Sequence, residues 1–217
     1  MSFFDENDIK SMGDHINSEK QKTISEVEKR EQIRTAAFHA LSTALTDFCD
    51  AFDEVQRLSE RLRITQKLNL FRYNTDYDVN EKDEYKSTLF HPVYSDRTHY
   101  VEYQFYSDGS ITKKEETLRP SGLTDKEIIR PCSTDDFRRV AEKDMIKTAE
   151  WYAKTFPSCY PTYDISRFIL LTHLAFEKES IDANTIKYTS IRSTDEIHNE
   201  VKKLFEDRII RAAKNKK

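Results

Sequence analysis

The sequence predicts an α+β fold, mainly α: a helical bundle with a long N-terminal helix and a small inserted antiparallel β-sheet or hairpin. Three observations carry that expectation. Between Ser18 and Leu70 there is neither Gly nor Pro, and apolar residues recur at helical spacing. Between Tyr100 and Leu118 the period changes to alternation around Asp108-Gly109. Beyond residue 123 three further stretches return to the helical period. The expected organisation is a poorly ordered segment over 1–17, a long helix over 18–70, a hairpin or sheet insertion over 71–122, and a helical region over 123–217 that packs on the first helix.

The long helix has its strongest signal in Phe38 to Leu62. Leu41, Phe48, Val55 and Leu62 form one heptad row, and Ala37, Ala44, Ala51 and Leu58 form a second. Phe38, Leu45 and Phe52 add a third, which makes the stripe too wide for a two-stranded coiled-coil seam alone and suits a helix in a core. The alanines let a neighbouring helix come close. The first half, Glu19 to Arg34, carries only Ile24, Val27 and Ile33 on a charged background, so it is expected to project or to meet a partner, and a break near Arg34 would also suit the pattern. Along the whole of 18–70, ion pairs are expected at four-residue spacing, such as Lys22 with Glu26, Glu26 with Arg30 and Asp53 with Arg57.

Residues 73–83 are rich in turn-formers and acids and read as a loop. Tyr100–Tyr106 and Ile111–Leu118 then flank Ser-Asp-Gly-Ser, and Asp108-Gly109 is the dipeptide favoured at a two-residue hairpin tip. Lys86–Tyr94 suits an edge strand interrupted at Pro92, and Pro120, Gly122 and Pro131 punctuate a further loop. Ser133 and Asp136 form a capping box before a helix that Pro157 stops. Residues 164–178 are apolar nearly all round, which predicts the most buried helix. A short strand is expected at Thr185–Ile191, and Ser193 with Glu196 makes a second capping box ahead of the last helix.

Composition bounds the function. A net charge of −4 gives no global attraction to nucleic acid or to an anionic membrane, and 34% charged residues against 37% apolar point to an extended, solvated helix surface. Cys49, Cys132 and Cys159 are too few and too scattered for a disulfide framework or a zinc site, and no apolar run is long enough for a membrane span. The N-terminus lacks the pattern of a signal peptide, so a soluble, cytoplasmic protein is expected. Three glycines, Gly13, Gly109 and Gly122, cannot write a phosphate-binding loop, a dinucleotide fingerprint or a nucleophile elbow.

No cofactor is expected, and no catalytic or metal-binding residue is assigned. His91, Asp96 and His99 could meet on paired strands, but their spacing is irregular. Glu84-Tyr85-Lys86 after Asp76 and Asp78 has the form of a metal-dependent nuclease site, yet Glu-x-Lys recurs at Glu200-Val201-Lys202 inside a helix. His173 with Glu177 one turn on could be a general base, or a core histidine.

Two features suit recognition. Seven of the eleven tyrosines crowd into the sheet and its approach, and Tyr94, Tyr100, Tyr103 and Tyr106 are candidate protein-binding residues. The alternative is that Val101, Tyr103 and Phe105 simply face the helices. From Lys202 onward seven Lys or Arg stand against two acids, and Arg208, Arg211, Lys214, Lys216 and Lys217 are candidate nucleic-acid contacts. The expectation is a non-enzymatic interaction or accessory protein that works through the long helix and the Tyr-rich hairpin, with a protein partner or a copy of itself. A nucleic-acid-associated factor, with a metal-dependent nuclease as its enzymatic form, is the alternative.

Overall fold

The computed structural model describes residues 6–77, 84–85, 93–94, 98–118, 124–155, 169–180 and 186–214. The fold is mostly helical, with a long N-terminal helix and small antiparallel sheets. Helix α1 runs Glu6–Asp53, so it already covers most of the stretch expected to lie outside it; α2 (Val55–Arg61) follows after a single non-helical residue, Glu54. Leu62 and Arg63 then stop the helix. Arg63 adopts φ 55°, its N–H donates to Glu60 O (3.0 Å), and the Ile64 N–H donates to Ser59 O (2.8 Å). Those two bonds define a Schellman stop, which satisfies carbonyls the helix leaves open and usually employs Gly. The chain had been expected to stay helical to Leu70, but Asn69 and Leu70 already belong to a strand.

Strands β1 (Asn69–Tyr77), β4 (Thr98–Tyr106), β5 (Ile111–Leu118) and β6 (Thr124–Cys132) form one antiparallel sheet in the order β1-β4-β5-β6. Between β1 and β4, the short strands β2 (Glu84–Tyr85) and β3 (Val93–Tyr94) pair with each other. The loop expected from residue 73 is therefore wrong as far as Tyr77. Tyr73 pairs with Tyr103 and is buried, a tertiary gain that outweighs the turn-like composition around it. The register slips between Asn69 and Phe71, which lets the neighbours Leu70 and Phe71 both be buried. The loop expected around Pro131 is a strand too, because β6 is an edge where a missing N–H breaks no ladder.

Helix α3 (Thr134–Thr155) leads to α4 (Ile169–Ala175), strands β7 (Phe176–Ser180) and β8 (Ile186–Ile191), and α5 (Thr194–Lys214). Both capping boxes form. The Asp136 N–H donates to Ser133 Oγ (3.1 Å) and the Ser133 N–H to Asp136 Oδ2 (3.4 Å). The Ser193 N–H donates to Glu196 Oε2 (2.7 Å) and the Glu196 N–H to Ser193 Oγ (3.4 Å). Hydrogen bonds from the two serines hold both carboxyls below their ordinary range. The stretch 164–178 is not one buried helix within the described residues: α4 ends at Ala175 and Phe176 opens a strand, since a short apolar run suits either state.

The C-terminal half of α1 lies against α3, α4 and α5, and one face of the sheet closes the core. Phe48, 0% exposed, stands at the junction. Its ring centroid is 5.3 Å from Phe71, 5.2 Å from Phe105, 6.1 Å from Phe137 and 5.3 Å from Phe205, which belong to β1, β4, α3 and α5. Leu41, Ala44, Leu45, Phe52 and Val55 are buried as the stripe requires, whereas Phe38 and Leu62, at its ends, are 40% and 49% exposed. Within the α1–α2 segment the ion pairs among the described residues are Lys22–Glu19, Arg34–Glu31 and Arg57–Glu54, three residues apart rather than the expected four.

Candidate functional site

On the N-terminal half of α1, Met12, Ile16, Ile24 and Val27 are 46%, 53%, 58% and 60% exposed. At 100° per residue these four fall within an arc of about 120°. That arc is in line with the stripe which, from Ala37 onward, is buried in the core, although Lys20, Arg30, Glu31 and Arg34 also fall within it. A single helix thus carries a buried apolar face at one end and a bare row of four apolar side chains, interrupted by charges, at the other.

The hairpin tip is held rather than free. The Gly109 N–H donates to Tyr106 O (3.0 Å), the Tyr106 N–H donates to Ser110 O (3.0 Å), and Gly109 has φ 77°. This is a three-residue loop with a left-handed glycine, not the two-residue turn expected, which would need two positive φ values. Ser107 binds the segment after α2: its N–H donates to Leu68 O (2.9 Å), its hydroxyl donates to Gln66 O (2.8 Å), and it accepts the Leu68 N–H (2.9 Å). Lys67 pairs with Asp108 (3.6 Å) and lies 4.3 Å from the Tyr106 ring centre.

The candidate tyrosines separate. Tyr103, 2% exposed, packs its ring 5.5 Å from that of Phe137, so it belongs to the core together with Val101 and Phe105. Tyr106 is half-buried on the opposite face, its hydroxyl donating to Gln104 Oε1 (2.5 Å). Tyr94 and Tyr100 are strand residues whose side chains lie outside the described ones. The outward face around Tyr106 is polar and largely self-paired: Lys114 bridges Glu116 (2.6 Å) and Glu127 (3.0 Å).

Arg208, Arg211 and Lys214 lie on the last turns of α5; Lys216 and Lys217 are outside the described residues. Arg208 turns toward the body, its guanidinium carbon 5.9 Å from the Phe71 ring centre, on the wall of a cleft of about 420 Å³. Strand β1, helix α4, strand β7, Arg192 in the connection from β8 to α5, and α5 itself build that cleft. Sequence reasoning did not find it, because its side chains are drawn from positions 71 to 208 with no local spacing to mark them.

His173 lines the cleft and meets the Tyr188 hydroxyl at 3.1 Å through Nδ1. Burial, with a smaller contribution from the Lys178 charge, pushes its pKa down to about 4. It is therefore a neutral hydrogen-bonding residue near neutral pH. Glu177, the suggested partner, instead takes the Ser190 hydroxyl on the β7–β8 pair. Cys49 is fully buried, and desolvation raises its thiol to about 11, which leaves it inert as a nucleophile.

Among the described residues no group of three His, Cys, Asp or Glu is placed to hold a metal ion, and no helix is long and apolar enough to cross a membrane. His91, Asp96, Asp78 and Lys86 lie outside the described residues; Glu84 is in β2 and His99 in β4. Compared with protein-family models, with curated proteins and with solved structures, the chain matches none.

Proposed function

We propose that this chain is a non-enzymatic interaction protein that grips another polypeptide, a second copy of itself, along the bare half of α1. The observation that supports this reading is the row Met12, Ile16, Ile24 and Val27, each about half or more exposed on one face of a helix. Full burial of such a side chain stabilises by roughly 1.5–3 kcal/mol. With about half of that still available and two copies contributing, pairing gains on the order of 8 kcal/mol, against an association cost of roughly 4–15 kcal/mol. The pairing is therefore weak and concentration-dependent.

Light scattering over a concentration series tests it. The reading expects a monomer–dimer equilibrium that Ile16→Lys and Ile24→Lys shift to monomer while the thermal unfolding of the body is unchanged. A strict monomer up to about 1 mM, where only about 4 kcal/mol of binding is needed, refutes it. Tyr94, Tyr100 and Tyr106 are proposed as an accessory contact, which Tyr106→Ala probes in the same assay. The nucleic-acid alternative rests on Arg208, Arg211 and Lys214 and predicts RNA or DNA binding that fades steeply between two salt concentrations.

A further inference from the structure

Five cations face the cleft beside α5: Arg72 from β1, Lys178 from β7, Arg192 just before α5, and Lys203 and Arg208 on α5. Only two carboxylates among the described residues, Glu200 and Asp207, stand with them. Among the described residues none of the five cations is in an ion pair, although surface acids are plentiful elsewhere on the chain. Like charges gathered in one concavity repel one another and focus a positive potential into it.

Arg192 is the most constrained of them. Its backbone N–H donates to Ala175 O (2.9 Å), and the next residue, Ser193, is fixed by the capping box of α5. Its Nε is buried and, among the described residues, has no hydrogen-bond partner. A buried guanidinium N–H without an acceptor costs stability unless something supplies one. The rest of the lining is mixed: Leu170, Leu174, Leu204 and Phe71 give an apolar wall, and the two carboxylates can accept hydroxyl hydrogen bonds. A volume of about 420 Å³ is in the range of small-molecule sites and is too small for a folded partner.

We propose that this cleft binds a small organic phosphate of about mononucleotide size, its phosphate held by Arg192 with the surrounding cations and its apolar or aromatic body against the leucines. Arginine presents a planar fork that matches phosphate oxygens, which a point-charge ammonium does not. The carboxylates favour a ligand that also carries hydroxyl groups, as a sugar phosphate or a nucleotide does. This site is independent of the bare α1 row, since none of its lining residues belongs to α1.

Isothermal titration of the full chain with inorganic phosphate, ribose 5-phosphate and the nucleoside 5′-monophosphates provides the test, in low-salt buffer. The expected result is saturable one-to-one binding of at least one organic phosphate, tighter than inorganic phosphate. Arg192→Gln should weaken it tenfold or more. Arg192→Lys, which keeps the charge and loses the fork, should weaken it too, with circular dichroism and thermal unfolding showing that both variants fold. Tighter binding of a ribose phosphate and a nucleotide alike assigns the site to the sugar phosphate; a preference for one nucleotide assigns it to the base as well. Absence of saturable binding by every probe, or binding indifferent to both Arg192 variants, overturns the proposal.

Discussion

Phe48→Ala removes a ring that touches four elements at once. The side chain is 0% exposed, and the four partner rings lie 5.2–6.1 Å away in β1, β4, α3 and α5. Truncation of a buried Phe costs roughly 3–5 kcal/mol, a range that already contains the loss of its ring contacts. Because rings on several rigid elements cannot all collapse into the space, the expected cost is near the upper end, about 4–5 kcal/mol. At roughly 2–4 °C per kcal/mol for a chain of this size, the melting temperature should fall by about 8–20 °C. Urea unfolding followed by far-UV circular dichroism measures it, with the midpoint lowered and the slope unchanged. Phe38→Ala, on the same helix but at a side chain 40% exposed, is the control and should cost under about 1.5 kcal/mol. Equal losses at the two positions would refute the placement of Phe48 at the centre of the core.

Arg63→Gly should stabilise by about 0.5–1 kcal/mol, because the Schellman stop holds Arg63 at φ 55° where glycine is unstrained; thermal unfolding reads the gain. Gly109→Ala should lower stability by about 1–3 kcal/mol in the same assay, since φ is 77° and an added Cβ would stand 3.0 Å from Gln56 Cβ. For His173 the folded pKa of about 4 lies below the ordinary histidine value, so the unfolded chain takes up the proton first as pH falls. Its contribution is complete above about pH 6.5 and is lost toward pH 4, worth about 1–2 kcal/mol after solvent screening of the partly exposed ring. His173→Gln should flatten the stability profile in that window, as chemical unfolding at a series of pH values would show.

The elements written by local chemistry were legible in the sequence. Both Ser-led capping boxes, the heptad rows of α1 and the Asp108-Gly109 turn depend on neighbours within a few residues, and all occur close to their expected positions. What distant contacts decide was not legible. Tyr73 sits in a polar run that reads as a loop until β4 supplies its partner, and Pro131 is tolerated in β6 because, among the described residues, nothing pairs beyond it. Leu174 and Phe176, two residues apart, end in a helix and a strand respectively. The basic cleft was invisible for the same reason: Arg72 and Arg208 share a wall only after the sheet and α5 have come together.

The body and the bare row belong to one uninterrupted helix of 48 residues, about 72 Å long. Leverage follows from that continuity. A stiff rod anchored at Phe48 sets the angle as well as the place at which anything seated near Ile16 or Ile24 is presented. A pull or twist delivered there arrives, undamped by any hinge, at the rings between sheet and bundle.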